Sequence, residues 1–309
     1  MEPIGREGEI GRQSLVQAGR GMRSTLKGIL RILAIAEAIG ASGIATATAG
    51  TIDKLRQDKT LRIAVRDDAA PFSFKGANGE PAGFMVDLCR SVSRHLATQL
   101  NLGDLKIAYV PVTASNRFEA IETGKADLLC EPTTVTLSRR EHVDFSITTF
   151  IDGASLLVRG DGPAAFSDLA GKKVGVLAGT TTEKSLRDTL ASANIAAQVV
   201  PAKTHDEGLA MLDQGAIAAY FADRAILSYL ASKNSAPEKL RLANDYLSLE
   251  PYALALTRGD SDFRLEVDRA LSQIYRSGEI ATVFRGTFGP EMQPSDTLKT
   301  LYLISALPE

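Results

Sequence analysis

Residues 151 to 159 read IDGASLLVR, an extended apolar run that ends at an arginine and passes into the Gly-Asp turn of RGDG. The same pattern returns at residues 251 to 258, PYALALTR, followed by RGDS. The two runs enclose about a hundred residues, and their symmetry predicts two crossings between lobes, with the middle of the chain inserted into a discontinuous first domain. On that reading residues 50–153 and 254–309 form lobe 1 and residues 154–253 form lobe 2. A cleft between two such lobes is where a small ligand binds.

Outside these runs, short β-rich stretches alternate with helical patterns, which predicts an α/β fold. LRIAVRD (61–67), LKIAYVPV (105–112), ADLLCE (126–131), KKVGVLAG (172–179), AQVVPA (197–202) and AIAAYFAD (216–223) read as strands. Phe84, Leu88, Val92 and Leu96 recur at helical spacing and form a core stripe, with His95 beside it as a structural residue. A chain of 309 residues has room for two domains at ~100–200 residues each. A net charge of -2 gives no reason to expect nucleic acid or an anionic membrane as partner.

The first fifty residues differ in composition. From Met22, MRSTLKGILRILAIAEAIGASGIATATAG has basic residues, an apolar middle and small residues at its end, the pattern of a secretory signal cleaved after Ala47 or Ala49. Arg31 and Glu37 interrupt the apolar stretch, which falls short of the ~20 residues of a membrane span, although an uncleaved anchor is the competing reading. Cys89 and Cys130 are too few for a disulfide framework. They could pair in an exported protein, but two buried free thiols are expected.

Residues 130 to 146, CEPTTVTLSRREHVDFS, follow an apolar strand, at the end where open α/β sheets bind ligands. Arg139 can give two parallel hydrogen bonds to a carboxylate while Thr134 adds a third; the alternative is that SRRE is a solvated turn. In VLAGTTTEKSL a strand runs through a glycine into a helix opened by Thr180, Thr181 and Thr182, where free N–H groups favour an anion and Thr180 or Thr181 can also serve as N-cap. Asp223 closes another strand facing the cleft and suits an ammonium group.

With these phrases in place, the chain from about Leu61 to Phe288 resembles the polar amino-acid-binding proteins of bacterial ABC importers, which have the type II periplasmic binding protein fold. LRIAVRDDAAPFSF, TGKADLL, TTVTLSRREHVDFS, DLAGKKVGVLAGTTTE and AYFADRAIL carry the resemblance. It implies an α-carboxylate on Arg139 with Thr133, Thr134, Thr180 and Thr181, and an α-ammonium on Asp223. Arg66, Arg117 in VTASNRF and His205 in PAKTHDE match the glutamate/aspartate-binding members most closely, and relatives that bind basic amino acids carry an acid at the position of Arg66. Arg66, Arg117 and Arg139 against Asp223 leave an excess of about two positive charges, complementary to an acidic ligand. Surface placement is the competing reading for Arg117 and His205. Pro132 and Ala114 stand where such relatives have serines, and Ala69 where many have an aromatic ring, so glutamine or another dicarboxylate stays open beside glutamate and aspartate.

The resemblance also implies a periplasmic monomer that closes over its ligand and presents it to a membrane permease, with no metal and no cofactor. A competing reading on the same fold is a cyclohexadienyl dehydratase, in which Glu131 or Glu183 would protonate a leaving hydroxyl. No acid–base pair stands out, and fold alone does not select function, so an enzyme is not expected. No phosphate-binding loop or nucleotide fingerprint occurs.

Overall fold

The computed structural model describes residues 50–243 and 246–309. The expected leader and its cleavage site lie outside the described residues. Among the described residues thirteen strands follow in chain order: β1 (Thr60–Arg66), β2 (Asp68–Ala69), β3 (Ser73–Lys75), β4 (Pro81–Ala82), β5 (Lys106–Val112), β6 (Leu128–Leu129), β7 (Val143–Asp152), β8 (Ala154–Arg159), β9 (Lys173–Leu177), β10 (Gln198–Ala202), β11 (Ala219–Asp223), β12 (Leu240–Leu242) and β13 (Glu250–Thr257). They form two five-stranded sheets, ordered β5-β1-β6-β13-β7 and β10-β9-β11-β8-β12, and a small sheet β2-β3-β4. In each large sheet the parallel pairs, such as β1 with β5 and β9 with β10, are joined by helical crossovers.

The two sheets meet at the crossings. The run 151–159 divides at Gly153: β7 ends the first sheet at Asp152 and β8 begins in the second at Ala154. A Cβ at Gly153 would stand 2.3 Å from the Ser248 carbonyl oxygen, so the two crossing segments can touch only with glycine there. The run 251–258 is a strand of the first sheet, paired with β7 from Glu250↔Asp152 to Thr257↔Val143. The return crossing therefore precedes Glu250, ahead of the limit at residue 254 expected from sequence.

A cluster of rings anchors the first lobe. Phe72 packs edge-on against Phe84, Phe150 and Tyr252, with centroids 6.4, 4.9 and 5.4 Å apart. This fixes Tyr252, whose hydroxyl reaches Asp223. His95 bonds Gln273 Oε1 and Glu279 Oε2, both at 3.0 Å, and so ties its helix (Phe84–Gln99) to the C-terminal helices, a structural role as expected.

The expectation of free thiols is corrected: Cys89 and Cys130 form a disulfide. Cys89 lies on the buried face of helix Phe84–Gln99 and Cys130 directly follows β6, and the helix packs over the sheet so that the two meet. Sequence periodicity places each residue on a buried face but does not say that the faces oppose.

Candidate functional site

The site lies where strand ends of both lobes converge on a narrow cleft. Arg66 ends β1, Arg117 opens the short helix Arg117–Glu122, and Thr134 and Arg139 follow β6; all four line the cleft from the first lobe. From the second lobe come Thr180 and Thr181 at the start of helix Thr181–Ser192, His205 at the start of helix His205–Asp213, and Asp223 at the end of β11. Thr133 is not on the wall: it is fully buried behind it, and its hydroxyl has no hydrogen-bond partner. The surface readings of Arg117 and His205 do not hold, since they are 2% and 3% exposed.

Thr180 is the N-cap of its helix, accepting the Glu183 amide at 3.1 Å. Its neighbours turn into the cleft instead. Thr181 Oγ1 lies 3.3 Å from Thr134 Oγ1 and donates to Glu250 Oε2 at 3.0 Å, so the lobes are bridged and the cleft is closed. Thr182, read from sequence only as part of the helix start, donates to Asp223 Oδ1 at 3.0 Å, and the Tyr252 hydroxyl donates to the other oxygen. Tyr252 gave no signal in the sequence. Leu177, Phe221 and Ile226 supply the apolar part of the wall.

Burial dominates the electrostatics. It raises the Asp223 carboxyl to about 6, with the Glu250 charge adding to the effect. His205 is lowered to about 3 by burial and by Arg66, and its Nδ1 lies 3.0 Å from the Tyr220 hydroxyl, so it is neutral at pH 7. Arg139 is lowered to about 10 by burial and by Arg117 and keeps its charge at neutral pH. Its Nη1 donates to the Thr134 carbonyl at 2.8 Å, and its guanidinium lies 5.2 Å from the Phe118 ring centre.

The excess of two positive charges counted from sequence is not what the cleft holds. Asp68 Oδ1 accepts from Arg66 Nε at 2.9 Å and Nη2 at 2.6 Å. Glu131, fully buried, stands 3.6 Å from Arg66 Nη1 and 3.5 Å from Arg117 Nε. The sequence count did not include these two carboxylates, neither of which lines the cleft wall. Glu131 is thus enclosed behind two arginines, and Glu183 is engaged by Arg187 and the Gly179 amide; neither is placed as a proton donor to a cleft ligand. Among the described residues, no cluster of His, Cys, Asp or Glu is arranged to hold a metal ion, and no helix is long and apolar enough to cross a membrane.

The chain is 31% identical to the L-glutamate/L-aspartate-binding protein of Pseudomonas aeruginosa, over 86% of this chain and 89% of that one. It is 28% identical to the glutamate/aspartate import solute-binding protein of Escherichia coli, over 88% of this chain and 94% of the relative. Among solved structures, an ancestral arginine-binding protein bound to glutamine matches with a TM-score of 0.67 at 27% identity, covering 75% of this chain and 98% of that one. An ancestral amino acid-binding protein described as a precursor of cyclohexadienyl dehydratase gives a TM-score of 0.67 at 28% identity, covering 77% and 99%. The fold is the type II periplasmic binding protein fold, and these curated relatives are transport proteins, not enzymes. A model of the bacterial extracellular solute-binding proteins, family 3, matches residues 61–290, and the chain belongs to that family.

Proposed function

We propose that this protein is the extracytoplasmic receptor of an ABC importer, capturing an amino acid by cleft closure and presenting it to the membrane permease as a monomer. The observation that carries the reading is the convergence of Arg139, the Thr180–Thr182 helix start and Asp223 on one closed cleft. An α-carboxylate fits the guanidinium and the helix start, and an α-ammonium fits the buried carboxylate. Thr133, off the wall, would act by holding the strand end rather than by contact.

Glutamate or aspartate is the proposed ligand. Arg66 and Arg117 lie beside the same cleft, and the relatives in Pseudomonas aeruginosa and Escherichia coli are named for those two amino acids. Export would follow from cleavage after Ala47 or Ala49, which N-terminal sequencing of the secreted protein checks. A calorimetric screen of the twenty amino acids and common dicarboxylates tests the ligand: the acidic pair should bind most tightly, and tighter binding of arginine or histidine would overturn the assignment.

A further inference from the structure

We propose that the carboxylates held on the cleft arginines, Glu131 and Asp68, set how strongly the protein prefers an acidic over a neutral amino acid, an inference that rests on reading the cleft as an amino-acid site. Glu131 is wholly shielded from solvent, and neither of its oxygens receives a hydrogen bond. Its ion-pair partners among the described residues are Arg66 and Arg117, at 3.6 and 3.5 Å. A carboxylate buried without donors is held by charge alone, so the two guanidinium groups are its counter-ions. Asp68 occupies two further nitrogens of Arg66 and also accepts the His205 amide across the cleft at 3.3 Å.

These are the arginines to which a distal ligand carboxylate would turn. A carboxylate arriving there shares its guanidinium groups with Glu131 and Asp68 and is repelled by both, strongly so in a site that excludes water. A distal amide, carrying no charge, escapes the repulsion. Each internal carboxylate therefore lowers affinity for glutamate while leaving glutamine nearly untouched. Selectivity is a difference of affinities, so contributions common to both ligands, including the α-carboxylate, the α-ammonium and lobe closure, cancel in the ratio. A purely structural role for either carboxylate would not move that ratio.

The test is calorimetric titration of L-glutamate and L-glutamine into the mature wild-type protein, Glu131→Gln and Asp68→Asn, with melting curves to establish folding. The glutamate-to-glutamine affinity ratio should rise about tenfold in Glu131→Gln and by a smaller factor in Asp68→Asn, where the carboxylate is partly exposed. If Glu131→Gln does not fold, Asp68→Asn decides. A rise in either folded variant supports the proposal, and a ratio that does not rise in any folded variant overturns it. Wild-type protein that binds neither amino acid overturns the assignment of glutamate and its neutral analogue as ligands, and this proposal with it, whereas wild-type binding with an unmoved ratio overturns this proposal alone.

Discussion

Asp152 accepts the amide of Ala225 at 3.0 Å, and so caps, from the end of β7, the helix Arg224–Lys233 at whose start Asp223 stands without a capping bond of its own. An aspartate in the N-cap position ordinarily uses its carboxylate on its own helix. Here the first crossing supplies that cap, and Asp223 is left for Thr182, Tyr252 and the cleft. The interlobe crossing and the proposed ammonium subsite are thus one piece of structure.

Asp152 makes stability depend on pH in a defined direction. Its carboxyl is raised to about 7, chiefly by burial and then by Asp223. A carboxyl whose folded pKa exceeds its unfolded value contributes stability that is complete below the unfolded pKa and lost as pH rises through the folded one. Asp152→Asn removes that loss. Asparagine keeps one acceptor for the two amides of Gly153 and Ala225, which costs the same at every pH; on top of that constant, the variant's stability relative to wild type should rise by about 1–3 kcal/mol between roughly pH 5 and pH 8. Melting curves for the two proteins that stay parallel across the range would refute this.

Ligand affinity should fall as pH drops through the Asp223 value of about 6, because an ammonium needs the ionised carboxylate. The decline is at most about tenfold per unit. His205, held near 3, stays neutral throughout and adds no titration of its own. Dissociation constants measured from about pH 5 to pH 8 test the point; a flat profile would place the ammonium elsewhere.

The disulfide closes a loop between residues separated by 41 positions. On the chain-entropy model such a loop is worth about 4 kcal/mol, and native bridges typically contribute ~2–4 kcal/mol. Replacing Cys89 and Cys130 with serine should lower the denaturant midpoint accordingly. Reductant should do the same to wild type and leave the double variant unaffected.

Arg66→Ala should weaken glutamate by about ten- to a hundredfold, the value of one charge-assisted hydrogen bond, and glutamine much less. It also leaves Glu131 with Arg117 as its remaining ion-pair partner, so a lower melting temperature is expected alongside. Equal losses for the two ligands would put Arg66 outside the side-chain subsite.

The parts of the molecule legible in sequence were those with local rules. Apolar runs located the parallel strands, the Gly-Thr-Thr-Thr phrase located a capped helix start, and eight of the nine candidate site residues line one cleft. What escaped depended on contacts between distant segments. The Cys89–Cys130 pair, the trans cap from Asp152 and the Glu131 counter-ion each join residues whose adjacency appears only once helix and sheet are packed. PYALALTR looked like a crossing because a largely buried interior strand and a crossing strand share one pattern, continuous apolar residues ending in a turn.

Arg139 gives the most decisive comparison because its neighbour is a built-in control. Both arginines sit in the short helical turn Arg139–Glu141, yet Arg139 lines the ligand cleft while Arg140 is exposed and borders a separate surface groove. The Arg139 guanidinium is steadied by the Thr134 carbonyl and the Phe118 ring, which leaves its remaining nitrogens for a carboxylate. Two charge-assisted bonds at ~1.5–3 kcal/mol each predict that Arg139→Ala loses a hundredfold or more in affinity for every amino acid, acidic or neutral. Arg140→Ala should bind as wild type does. Calorimetry on both variants, with melting curves to show that each folds, separates the alternatives: retained affinity in Arg139→Ala, or equal losses in the two, would mean that the α-carboxylate is held by some other group.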